Sequence, residues 1–397
     1  MDLDNLDTFR IATCDLNGQM RGKRMPQKDQ RKLASGDLRM PLSVLNVDIW
    51  GADIINSPLL FASGDGDGYL LPTNRGPVPM PWLDQPSALV GMWMFEEDGR
   101  PFEGDPRHAL AQILDRYAAR GWQVVAATEL EFYLIDDSAE SLRPPKDPAS
   151  NRKIDSSAIL SLQQLDAFEA FFSELYQSCA QMGINAQAAS SEAGIGQFEI
   201  SLQHGDALRI ADDTWLFKTL LRGLARKHGY AASFMAKPYP NDAGNGLHLH
   251  FSVIDEAGEN IFDDGTKQGS PLLQNAIAGC LATMRAATLG FAPHANSYTR
   301  MDPENHAPTS ICWGYENRTA ALRIPAGAHR ARRIEHRVAG GDINPFLTLS
   351  LILGAALLGI EDDLTPPPPI TGNAYSQDLP QLIHSWSEAI DMFENDP

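Results

Sequence analysis

Cysteine is scarce. The chain has four in 397 residues, Cys14, Cys179, Cys280 and Cys312, and no two of them form a CxxC pair. With that spacing, the expectation is four buried free thiols of a cytosolic protein. Long hydrophobic runs are also missing. The longest, LTLSLILGAALLGI (347–360), is shorter than the roughly 20 apolar residues a bilayer requires. The acidic start, MDLDNLDTFR, is not expected to act as a signal or transit peptide. Positive charge is short as well: 32 Lys and Arg face 51 Asp and Glu, for a net charge of −19. A surface that negative repels phosphate backbones, so no nucleic acid partner is expected. Neither GxxxxGK[ST] nor GxGxxG occurs. Any nucleotide phosphate must therefore be held by locally placed Arg, His or metal.

The hydrophobic fraction, 43%, suits a globular protein, and the length suits two domains. Residues 8–80 carry short alternating runs broken by Gly, Asp and Pro, which predicts a small β-rich domain. Pro-rich GPVPMPWLDQPS (76–87) reads as a crossing to the second domain, and Pro366–Pro369 as a loop. Further on, Asp105 is a predicted N-cap, Pro106 the first helical residue and Gly121 the stop. Helices are expected over 164–182, 213–228 and 270–288. Strand-like runs (WQVVAATELEFYLI, GQFEISL, LHLHFSV, TAALRIP, RRIEHRV) lie between and after them without a strict βαβ alternation. The fold class is α+β with a mainly antiparallel sheet.

What the chain has is carboxylates in the wrong places. In ATELEFYL (127–134), Glu129 and Glu131 share one face of an apolar strand. Glu192 and Glu199 sit in SEAGIGQFEISL, His248 and His250 in GNGLHLHFSV, and Glu335 in RRIEHRV. Any one of these, taken singly, reads as a solvated strand face or a structural ion pair. Recurrence on at least four strands points instead to convergence, and converging carboxylates need cations to offset their repulsion. Hard divalent Mg²⁺ or Mn²⁺ takes oxygen ligands and tolerates imidazole, whereas this ligand set does not suit structural zinc. Seven arginines fall within 300–337 (Arg300, Arg318, Arg323, Arg330, Arg332, Arg333, Arg337). They read either as a basic surface stripe or as forks aimed into a site. Metals with converging Arg forks compose a phosphoryl-transfer site.

These segments, in order, resemble the glutamine synthetase family. DLNGQMRGKRMP, ATELEFYL, EAGIGQFE, GNGLHLHFS, NSYTR, WGYENRTAALRIP and ARRIEHRVAGGDINPFL match its motifs between about residues 11 and 361. The resemblance implies a β-grasp N-terminal domain (1–100) and a catalytic domain (101–397) with a curved antiparallel sheet and helices. It also implies homo-oligomeric stacked rings, decamers or dodecamers, with active sites between subunits. Glu131, Glu192 and Glu199 match the ligands of one metal, and Glu129, His248 and Glu335 those of a second. Arg300 and Arg337 match the grip on glutamate, where Glu131 and Gly244 also belong. His250, Ser252, Arg318, Arg323 and Arg333 match the nucleotide and phosphate contacts. The implied chemistry uses Mg²⁺ or Mn²⁺ with ATP as co-substrate, and passes through γ-glutamyl phosphate, which an amine then attacks. Arg300, His306, Arg318 and Arg337 are the expected catalytic set.

Three departures from the pattern stand out, and the first bears on the acceptor. In RMDPENHAPT, His306 stands where ammonia-using members carry a glutamate, with Glu304 two places early. An imidazole lacks the fixed negative charge that holds ammonium, although it can act as a base near neutral pH. Ala243 stands where many members have Asn, and the chain stops at EAIDMFENDP where members usually continue. WGYENRT is closer to the branch that joins glutamate to organic amines, such as the γ-glutamylpolyamine synthetases. The expected activity is thus a glutamate–amine ligase. The alternatives are glutamine synthetase proper and a catalytically inactive structural relative.

Overall fold

The computed structural model describes residues 3–303 and 306–396; Glu304 lies outside them. Among these residues no helix is long and apolar enough to cross a membrane. Two sheets organise the chain. The first is built from β1 (Thr8–Cys14), β2 (Met20–Pro26), β3 (Arg39–Pro41), β4 (Asp67–Pro72), β5 (Val78–Pro79) and β6 (Ala88–Phe95), in the order β2-β1-β6-β4-β3 with β5 beside β6. Its centre is the parallel pair β1–β6, whose alternate residues Phe9, Ile11, Val90 and Met92 bury one apolar face.

The second sheet has eight strands. They are β7 (Gln123–Ile135), β8 (Ala186–Ser191), β9 (Gln197–Asp206), β10 (Ala231–Ser233), β11 (Leu247–Ile254), β12 (Trp313–Tyr315), β13 (Leu322–Ile324) and β14 (Ile334–His336). The order is β12-β13-β14-β11-β7-β9-β8, with β10 beside β7, and every pairing except β12–β13 is antiparallel. Leu130, Phe132 and Leu134 of β7, Leu247, Leu249 and Phe251 of β11, and Phe198 and Ile200 of β9 point into the main core. The helix Ala207–Lys227 packs against β7 and β9 on that side. The opposite faces of the same strands are left to the site.

The helix Pro106–Ala118 has the expected start: the Asp105 side chain accepts the Arg107 N–H at 2.9 Å. Gly121 is left-handed two residues beyond its C-cap. The 164–182 expectation is corrected to two helices, Leu162–Ala167 and Glu169–Met182. They break at Phe168 (φ −104°, ψ 24°), whose ring is buried edge-on to Phe198. The helix expected from 213 begins at Ala207, because Asp206 caps it by accepting the Arg209 N–H at 3.0 Å. That expected over 270–288 spans Pro271–Thr283.

The sheets join through buried ion pairs. Arg107 makes two 2.8 Å bonds to Asp212 and lies 3.8 Å over the Trp93 ring, and Arg75 donates to Asp213 at 3.0 Å.

Candidate active site

Register decides which of the expected groups meet. Paired residues of neighbouring strands point to the same face. On β7, Glu131 is opposite Glu199 of β9, and Glu129 is opposite His248 of β11. On β11, His250 is opposite Glu335 of β14, which is opposite Arg323 of β13. Glu192 follows the end of β8, where Ser190 donates to it at 3.0 Å. These groups form one polar band across the sheet. Glu129, Glu131, Glu192, Glu199 and His248 line an open cleft of about 1290 Å³, together with Gly244, Arg300, His306, Arg318 and Arg337. Five expected residues are not part of that lining: Glu335, which is fully buried behind it, and His250, Ser252, Arg323 and Arg333. His250, Arg323 and Arg333 extend the band through contacts of 3.1 Å (His250–Glu129), 2.8 Å (Arg323–Glu335) and 3.2 Å (Arg333–His250). Ser252 lies one step further on the same face of β11, opposite Val125.

The distances cut across the two ligand trios implied by resemblance. Glu129, Glu199 and His248 bring ligand atoms within 4.8 Å of one another, and so do Glu129, His250 and Glu335. Glu129 belongs to both groups because it sits between the imidazoles, at 3.3 Å from His248 and 3.1 Å from His250.

Electrostatics show what the band needs. Burial raises the Glu199 carboxyl to about 9, with Glu131 and Glu129 adding repulsion. Burial and Glu131 likewise push Glu192 to about 7. Burial acts on Glu129 in the same sense, but hydrogen bonds from His248 and His250 outweigh it and hold that acid well below the usual carboxylate range. Burial lowers His248, with Arg337 adding to the effect. Glu335 is fully buried, yet it is held low because the positive charges facing it, His248 when protonated and the Arg337 guanidinium, outweigh its burial. Acids forced to keep protons at neutral pH, beside an imidazole kept neutral, are a donor set that a hard divalent cation would relieve. The residues present therefore fit Mg²⁺ or Mn²⁺.

Arg300 and Arg337 are both buried, and both reach the cleft. Arg300 donates to the Val338 carbonyl at 2.8 Å, and Arg337 to Glu335. The Nε–H groups of Arg337 and Arg323 are buried without an acceptor among the described residues, which leaves donors for an incoming anion. The glycines of GNG make room for this. A Cβ on Gly244 would lie 2.7 Å from Arg300 Cγ, and one on Gly246 would lie 2.9 Å from its Nη2. His306 sits exposed on the cleft margin in a left-handed conformation, φ 55°.

Two residues absent from the sequence-level candidates help to shape the cleft. Gln197, almost fully buried, donates to the Gly244 carbonyl at 2.9 Å and to Asn245 Oδ1 at 3.1 Å, and reaches Glu131 at 3.4 Å. Its own oxygen accepts the Gly194 N–H at 2.9 Å. One amide thus ties the Glu192 turn, the Glu131 strand and the glycine loop together. Tyr375 lines the cleft beside Arg300 and Arg337 and donates to the Ala307 carbonyl at 3.2 Å. Gln197 had a signal, since it shares the strand face of Glu199, but Tyr375, in the short 3-10 turn Ala374–Ser376, had none.

A curved sheet that gathers acids, imidazoles and guanidinium forks over one open cleft defines an enzyme site of the ligase type rather than a scaffold. Residues 103–397 match the family model described as the catalytic domain of glutamine synthetase, and the chain belongs to that family. Gamma-glutamylputrescine synthetase PuuA of Escherichia coli (strain K12) is 36% identical over 397 residues, covering 99% of this chain and 84% of the relative. Gamma-glutamylethanolamide synthetase GlnA4 of Streptomyces coelicolor (strain ATCC BAA-471 / A3(2) / M145) is 34% identical, covering 98% of this chain and 84% of the relative. Among solved structures, "GmaS/ADP complex-Conformation 1" superposes with a TM-score of 0.85 at 27% identity, over 98% of this chain and 88% of that one.

Proposed function

We propose that the protein is an ATP-dependent ligase that joins the γ-carboxylate of L-glutamate to an organic amine through γ-glutamyl phosphate. The observation that carries this reading is the single cleft lined by Glu129, Glu131, Glu192, Glu199, His248, Arg300 and Arg337, in a chain whose relatives include named γ-glutamylamide-forming synthetases. Glu129, Glu131, Glu192, Glu199, His248 and Glu335 would hold two or more divalent ions. Those ions would supply charge neutralisation on the transferred phosphoryl group.

Arg300 and Arg337 hold the carboxylate groups of glutamate, with Gly244 leaving space beside them. Arg318, Arg323, Arg333, His250 and Ser252 attend the nucleotide and its phosphates. A γ-carboxylate oxygen attacks the γ-phosphorus as the bond to ADP breaks. The amine nitrogen then attacks the acyl carbon, phosphate leaves with the C–O bond electrons, and the nitrogen gives up a proton. His306, on the cleft margin, is placed to accept that proton.

The same reading divides the chain into an N-terminal domain (1–100) and a catalytic domain (101–397), and assembles it into stacked homo-oligomeric rings in the cytoplasm. Exposed Trp50, Ile55 and Phe61 on the N-terminal side support a subunit contact there.

The test is phosphate release from ATP with L-glutamate and a panel of amines, ammonia included, with the product identified by mass spectrometry. Release that depends on both glutamate and an organic amine supports the proposal. Ammonia preferred over every amine would assign glutamine synthetase proper, and no release with any acceptor would assign an inactive relative.

A further inference from the structure

The segment leading into the Leu162–Ala167 helix presents hydrocarbon to solvent without a folding reason. Ile159 and Leu160 are 58% and 72% exposed, and both line the cleft that holds Glu192 and Glu199. Leu160 has φ 58°. Six described non-glycine residues have φ in the left-handed range, and Leu160 is the one whose side chain is purely hydrocarbon. A bulky aliphatic residue there is strained and persists only where its surroundings impose it.

The surroundings do impose it. The Leu160 N–H donates to the Ser191 carbonyl at 2.9 Å, and the Ser161 N–H to Ser191 Oγ at 2.7 Å. Ser191 Oγ donates in turn to the Ala158 carbonyl at 2.9 Å, and Ser157 Oγ to the Ala193 carbonyl. Ser191 is fully buried and stands one residue before Glu192. The loop tip is thus clamped to the strand end that delivers an acid of the cleft, and its apolar side chains are held at that acid's wall.

We infer that Ile159 and Leu160 are specificity-determining residues that form the wall of the acceptor subsite, and that the acceptor is an amine with an aliphatic body of several carbons. This inference rests on the ligase reading above. Burying hydrocarbon against this wall removes both the exposed surface and the solvent that ammonia would leave in place. Two aliphatic side chains offer nothing to a hydroxyl or a second ammonium, so this wall reads the methylenes and not a distal polar group.

The experiment is a linear free-energy series: kcat/KM for ammonia, methylamine, ethylamine, n-propylamine and n-butylamine with saturating ATP and glutamate. Wild type is expected to gain about fourfold per methylene until the wall is covered. Leu160→Gly and Ile159→Asn are expected to flatten that slope, through KM for the amine and not through KM for ATP or glutamate. Glycine accepts φ 58° without strain, so Leu160→Gly is expected to fold with an unchanged or higher Tm. A flat slope in wild type, or an unaltered slope in both variants, overturns the inference. So does a slope that changes only together with oligomer mass, which would make the wall a subunit contact. No turnover with ammonia or with any amine refutes the ligase reading itself, and this inference with it.

Discussion

Adding a divalent cation to the metal-free protein should expel protons, and their number follows from the geometry. With carboxyls raised to about 9 (Glu199) and about 7 (Glu192), the metal-free cleft carries between roughly one and two protons on these two acids at pH 7, and fewer as pH rises to 8. Cation binding requires both to ionise, so that number is released. The two acids titrate as a coupled pair, which makes their sum the sound quantity. Isothermal titration with Mn²⁺ or Mg²⁺ in buffers of different ionisation enthalpy reads it as a slope.

The stability of the metal-free protein follows with a definite sign. Both carboxyls lie above the ordinary unfolded value of about 4.3. Between that value and about 9 the folded state binds more protons than the unfolded state. Stability contributed by these acids is therefore lost as pH rises through the window, and Tm should fall between pH 6 and 9 unless cation is present. Glu129 works oppositely: its depressed value contributes stability that is lost only as pH falls into the acid range. No proton release at pH 7, with Tm flat between pH 6 and 9, would refute the reasoning that these acids share one cation-binding cleft.

Arg337→Lys keeps the charge but loses the planar fork. It should raise KM for glutamate or lower kcat by a combined factor of roughly 10 to 100 in kcat/KM, and equal turnover would remove Arg337 from the substrate grip. Gly244→Ala places a methyl 2.7 Å from Arg300 Cγ and 2.8 Å from the Ala236 carbonyl. Overpacking of this kind costs about 1–3 kcal/mol, to be read in KM for glutamate against Tm, and an unchanged KM would show that Arg300 is not held by that glycine. His306→Glu should shift kcat/KM towards ammonia by restoring a fixed anion near the attacking nitrogen, and a wild type that already prefers ammonia would contradict the organic-amine assignment.

The sequence alone determined faces and caps. Period-two alternation is local, so Glu129 with Glu131, and His248 with His250, could be placed on one strand face before any partner was known. Asp105 and Pro106 marked a helix start by the same local chemistry. The motif order carried the family, and with it the curved antiparallel sheet.

The tertiary structure decided which faces meet. That Glu131 lies opposite Glu199, and Glu129 opposite His248, depends on strand register set by turns and packing across long stretches of chain. The same register places Glu129 between two imidazoles, so the ligand atoms group differently from the trios the motifs implied. Gln197 reads in sequence as one more polar residue on a strand, and only the approach of the 244–246 loop makes its amide a tie between three walls. Leu160 is a leucine that no local pattern singles out. A buried serine one residue before Glu192 holds it in a left-handed turn at the cleft, because a hydrogen bond between distant segments can impose a backbone conformation that local propensity disfavours.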